Sequence, residues 1–145
     1  MDFCPDDIEH GILRRNRRPP NSLFRVFSKN DPRLKYSVER VDPRIHFALV
    51  CASSSCPPID IYTPEEIDRQ LDLSAMTFIN SGGVIIDRRK GIVRLSMIFK
   101  WYGPDFGKSP ADILLFITPY LYNEQDRDYL KNNAHNLKIL YQDYD

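Results

Sequence analysis

Ile45-His46-Phe47-Ala48-Leu49-Val50-Cys51-Ala52-Ser53-Ser54-Ser55-Cys56-Pro57-Pro58-Ile59 gathers most of the chain's uncommon chemistry into one apolar run and one polar loop. Residues 45–51 are almost uninterruptedly apolar, the pattern of a strand buried on both faces. Strand geometry puts Ile45, Phe47, Leu49 and Cys51 on one face and His46, Ala48 and Val50 on the other. The serines end the run. Pro57-Pro58 then removes two backbone donors and fixes two φ angles, so the loop carrying Cys56 is expected to be stiff. The expectation is a central strand with Phe47 and Leu49 both buried, ending in a rigid polar loop suited to a site.

Upstream, Asp6 or Asp7 is placed to cap a short helix running to about Arg14. Its periodicity predicts a buried side of Ile8, Ile12 and Leu13, with Glu9 turned inward. Arg14-Arg15-Asn16-Arg17-Arg18-Pro19-Pro20 is the dense basic cluster, read as a solvated face at a helix end, with an anionic ligand or phosphate as the alternative. Asn30-Asp31-Pro32 and Asp42-Pro43 read as turns.

Downstream, Thr63-Pro64-Glu65-Glu66 has the form of a capping box, opening a helix that buries Ile67, Leu71, Ala75 and Phe78. Val84-Ile85-Ile86 and Ile92-Val93-Arg94-Leu95, joined through Asp87 to Gly91, read as a β-hairpin. Ser96 caps a short helix to about Tyr102, and Ser109-Pro110-Ala111-Asp112 opens an apolar helix that Pro119 ends or kinks. A polar helix from Glu124 to Lys131 and a strand from Leu137 to Tyr141 follow. This irregular alternation predicts an α+β fold in one domain over residues 1–145, with a small mixed or antiparallel sheet and flanking helices.

The 145 residues are enough for a core without staples, and 42% hydrophobic and 12% aromatic content exclude general disorder. Twenty Lys and Arg balance 20 Asp and Glu, which argues against nucleic acid and an anionic membrane as partners. No apolar run reaches the roughly 18 residues of a membrane span, and no leader pattern opens the chain. No glycine-rich phosphate loop is present, so no nucleotide or other cofactor is expected. Cys4, Cys51 and Cys56 form no Cys-x-x-Cys pair; a Cys51–Cys56 disulfide is sterically feasible, but reduced thiols in a cytoplasmic protein are the default.

His46-Phe47-Ala48-Leu49-Val50-Cys51 followed by Ser55-Cys56-Pro57-Pro58 resembles the signature of the DUF547 family, found in bacteria, archaea, plants and animals. Asp7-Ile8-Glu9-His10-Gly11-Ile12-Leu13-Arg14 agrees with it. So do Leu95-Ser96 with Phe99-Lys100-Trp101-Tyr102 and Asp105-Phe106, and Tyr141 with Tyr144-Asp145. Family members usually carry an upstream helical segment rich in Trp, Asn and Tyr and a Trp-containing tail, neither of which this sequence shows. An apolar patch near Ile8, Ile12 and Tyr141, or self-association as a homo-oligomer, is the corresponding expectation. The resemblance supplies no reaction.

Chemistry rests on thiol and imidazole. Nucleophilic catalysis by cysteine needs a thiolate, a base within reach and a group that orients the base. Cys51 or Cys56 fits the first role, His46 or His10 the second, and Glu9 or Asp105 the third, with serine-loop amides as an oxyanion hole. This predicts a cysteine-centred hydrolase or acyltransferase acting on a small-molecule or peptide substrate. Strand alternation counts against it by separating His46 from Cys51, and the plain alternative is a small buried cysteine beside a satisfied core histidine. A zinc site from His10, His46, Cys51 and Cys56 has spacings that match no standard motif, so no metal is expected. The other class of reading is a non-catalytic interaction or scaffold module whose aromatic cluster Phe99, Trp101, Tyr102 and Phe106 anchors a protein partner.

Overall fold

The computed structural model describes residues 1–49 and 61–143. Expectations placed on Val50, Cys51, the serine loop and Cys56 fall outside these residues. The chain divides into two compact units, Met1–Pro43 and Arg44–Asp145. Among the described residues no helix is long and apolar enough to cross a membrane.

In the first unit Asp7–Leu13 is helical but π-wound, with Arg14 N donating to Glu9 O at 3.0 Å and Asn16 N to Gly11 O at 3.1 Å. The wider winding turns the face inward that α periodicity would leave outside. His10, Gly11 and Arg14 are buried, whereas Ile8 is exposed, Ile12 and Leu13 only half-buried, and Glu9 partly buried. Gly11 permits this, because a Cβ there would overlap the buried Phe27 ring. The Asn16 amide completes the wall by imitating a backbone peptide, donating to Phe27 O and accepting from Phe27 N, both at 3.0 Å.

A 3-10 turn, Pro32–Tyr36, closes the unit. Arg33 ties it together, with Nη2 2.8 Å from Asp31 Oδ2, Nη1 2.9 Å from Asp7 Oδ2, and its guanidinium 4.5 Å from the Phe27 ring centre. Asp31 is held below the ordinary carboxylate pKa first by the Arg33 side-chain hydrogen bond. Asp7 is lowered first by the backbone N–H of Cys4 and then, among smaller causes, by Arg33.

The second unit opens on a helix where the sequence predicts a strand. Ile45–Leu49 is not a central strand but a short helix, α1. A short apolar run is ambiguous between a buried strand and a buried helix, and the helix wins here through packing. Helical phase turns Ile45, His46 and Phe47 inward together and leaves Leu49, predicted to be buried, 48% exposed. Phe47 is fully buried among Phe78, Phe99, Phe106 and Phe116, with ring centres 5.2 to 6.4 Å away. A five-residue helix cannot stand on its own hydrogen bonds, so this cluster holds it.

Helix α2, Ile67–Phe78, lies beside α1, and Arg44 joins them through Asp68 Oδ1 at 2.7 Å and Asp72 Oδ1 at 2.8 Å. Thr63 does not cap α2 as predicted. Its N–H is taken by the Gln70 side chain, and 64–66 form a turn. Leu71 and Ala75 are buried, Phe78 partly, and Ile67 is exposed.

The chain then passes through a π-wound turn, Ile79–Gly83, into the predicted hairpin of β1, Val84–Asp87, and β2, Ile92–Leu95. Asp87 Oδ1 accepts from Arg89 N and Lys90 N, and Gly91 supplies the positive φ of 66° that the turn requires. Four helices follow: α3, Ile98–Trp101; α4, Gly103–Phe106; α5, Pro110–Ile117, capped by Ser109; and α6, Glu124–Asn133, capped by Asn123. Strand β3, Lys138–Tyr141, completes a sheet of order β1-β2-β3, antiparallel between β1 and β2 and parallel between β2 and β3. The fold is α+β with a small mixed sheet, as the sequence predicts.

Candidate functional site

His46 enters from the first turn of α1 and Asp105 from α4, which Pro104 opens. The two meet as a buried ionisable pair within the second unit. His46 Nε2 lies 2.9 Å from Asp105 Oδ2, with the two side chains 1% and 0% exposed. With a neutral imidazole facing an ionised carboxylate, which only accepts, Nε2 carries the hydrogen and the ring's lone pair is on Nδ1. Tyr102 stacks on the imidazole with centres 4.0 Å apart and planes 21° off parallel, and Phe106 meets it at 5.5 Å. The ring is thus fixed in direction by a carboxylate and in plane by a tyrosine.

Glu9 and His10 belong to the first unit. Arg14 Nη1 lies 3.0 Å from His10 Nδ1 and also donates to Arg18 O at 3.0 Å. A guanidinium has no acceptor, so Nδ1 accepts and Nε2 carries the hydrogen, 4.0 Å from Glu9 Oε2. The lone pair of His10 is therefore engaged by a cation. Arg14 escaped the sequence reading, which took it for part of a solvated face, although its position four residues after His10 puts both on one side of a helical turn.

Cys51 and Cys56 lie outside the described residues, and Cys4 is an exposed free thiol. Among the described residues no three His, Cys, Asp or Glu side chains gather as a metal ion would need. Phe99 and Phe106 sit in the core and are unavailable as partner anchors, whereas Trp101 is 36% exposed.

The α+β unit with a buried, aromatic-clamped His–Asp pair defines the chain's class at the level of architecture. The sequence profile of the family described as protein of unknown function, DUF547, matches residues 1–79, and the chain belongs to this family. The matched span contains His10, His46 and both loop cysteines, while Asp105 lies beyond it. No curated protein and no solved structure matches the chain.

Proposed function

We propose that the chain is a cysteine-nucleophile hydrolase or acyltransferase in which His46 is the general base and Asp105 its orienting carboxylate. The thiolate comes from Cys51 or Cys56. The observation that carries this reading is the 2.9 Å His46–Asp105 pair. Desolvating two ionisable groups inside an aromatic core costs several kcal/mol, and apolar residues of similar volume commonly do as well or better for stability, which points to chemistry. In the reaction, His46 Nδ1 takes the thiol proton and the thiolate attacks an acyl carbon. The tetrahedral intermediate collapses to a thioester as His46 returns the proton to the leaving group. Water or an acceptor nucleophile, deprotonated in turn by His46, then releases the acyl group and restores the thiol.

The test is site-resolved alkylation by iodoacetamide at about pH 6.5, well below the ordinary thiol pKa. Cys51 or Cys56 is expected to react about tenfold faster than Cys4, because a paired thiol is more ionised. His46→Ala should remove that advantage, and Asp105→Asn should reduce it with the circular dichroism spectrum unchanged. Loop cysteines that react no faster than Cys4 and ignore both substitutions would overturn the proposal.

A further inference from the structure

Between Glu9 and Asp31 the chain carries six Lys or Arg residues and no Asp or Glu. Arg14 is buried, but Arg15, Arg18, Arg25 and Lys29 are exposed. In the middle of this stretch Leu23 and Phe24 stand 81% and 78% exposed. Adjacent large apolar side chains this bare are uncommon on a soluble surface unless they meet something.

The loop presenting them is built rather than slack. Asn16 and Phe27 close its base through the paired hydrogen bonds described above, and Phe27 is 1% exposed. Pro19-Pro20 stiffens the outgoing arm, and Asn21 takes a left-handed turn with φ 62°. Ser22 N donates to Pro19 O at 3.1 Å, and Ser22 Oγ then bonds both Phe24 O and Phe24 N. These bonds hold the apolar tip away from the base that Phe27 anchors.

We propose that residues 16–27 form a docking loop for an anionic phospholipid membrane surface. Leu23 and Phe24 enter the boundary between headgroups and acyl chains, and Arg15, Arg18, Arg25 and Lys29 meet the lipid phosphates and carboxylates. Weak apolar insertion and a basic patch are each insufficient for stable anchoring, and the loop combines them. A membrane fits better than a protein partner. A specific protein interface needs about 800 Å² per partner with matched shape, whereas a two-residue tip enters a fluid interface with no shape to match. The neutral balance of the whole chain, which argues against a membrane when read from sequence, averages over this local asymmetry. Attraction through these charges acts only within about 8 Å at physiological salt, so it needs no net charge on the molecule.

The experiment is co-sedimentation of the full chain with phosphatidylcholine vesicles, with and without about one-third phosphatidylserine. Binding is expected only with phosphatidylserine, falling when salt is raised to about 0.5 M. The exposed double variant Leu23→Ser/Phe24→Ser should weaken it about tenfold or more, as should Arg18→Glu/Arg25→Glu. Phe24→Trp in a Trp101→Phe background should show a blue shift of emission on adding those vesicles, which reports insertion rather than surface contact. Equal binding to both vesicle types, no binding, or an unshifted emission from the Phe24→Trp variant would overturn the proposal. So would a chain whose Leu23→Ser/Phe24→Ser variant loses only self-association in sedimentation velocity.

Discussion

Phe47 shows how one side chain fixes a short element. It is fully buried and packs against four other phenylalanine rings, so Phe47→Ala should cost about 3 to 5 kcal/mol in urea unfolding of the second unit. A loss within about 0.5 kcal/mol would show the cluster to be loose. Its burial was legible from its neighbours' hydrophobicity. The exposure of Leu49 was not, because it follows from helical phase rather than from composition. The residues of the candidate site were legible, but not their contact. His46 and Asp105 carry the residue types that base and orienter require, yet a separation of 59 residues leaves no local signal that they touch. Arg14 was hidden for a different reason. Its charge predicts solvent, and acceptors that composition does not reveal, His10 Nδ1 and Arg18 O among them, accompany its burial.

Some elements with local signals match expectation, whereas the equally local Thr63 capping box does not form. The Asp87 to Gly91 turn and the Ser109 cap rest on bonds within a few residues, whereas β3 is an apolar run completed by pairing with the distant β2. The helix expected at Asp7–Leu13 forms, but its buried face differs from the expected one, because it is π-wound against a tertiary neighbour, the Phe27 ring, that the local pattern does not reveal. Gly11 is the hinge of that arrangement. Gly11→Ala should destabilise the first unit by about 1 to 3 kcal/mol, since the added methyl must displace the Phe27 ring or the helix. Hydrogen exchange at Phe27 N–H, which Asn16 protects, measures it directly, and unchanged protection would count against the close approach.

At the scale of the whole molecule, a balanced charge conceals an acid-sensitive clasp. The Asp7 and Asp31 carboxylates lie below their ordinary value of 3.8 in the folded chain. The unfolded state therefore binds more protons, and their stabilisation is complete above that value and lost as pH falls through the folded pKa values. Thermal melts from about pH 7 to about pH 2 should show the first unit weakening at the acid end. Arg33→Gln should flatten that weakening, most through Asp31, whose largest cause is Arg33; Asp7 keeps the Cys4 N–H. A fall of equal steepness in the variant would exclude Arg33 as the source. The α+β class was legible at this scale, but the parallel partner of β2 was not, since nothing in β3 records which neighbour it will join.

That pairing also bears on how the protein is made. The β1–β2 hairpin leaves the ribosome with one long side of β2 unsatisfied, and the crossover through α3 to α6 must be delivered before Lys138–Tyr141 can cover it. Throughout that interval the nascent chain exposes an open strand edge bearing Val93 and Leu95, the kind of surface that recruits other chains or chaperones. A ribosome stalled before residue 138 would hold a hairpin with no third strand, so co-translational integrity of the second unit depends on a strand synthesised long after the edge it protects.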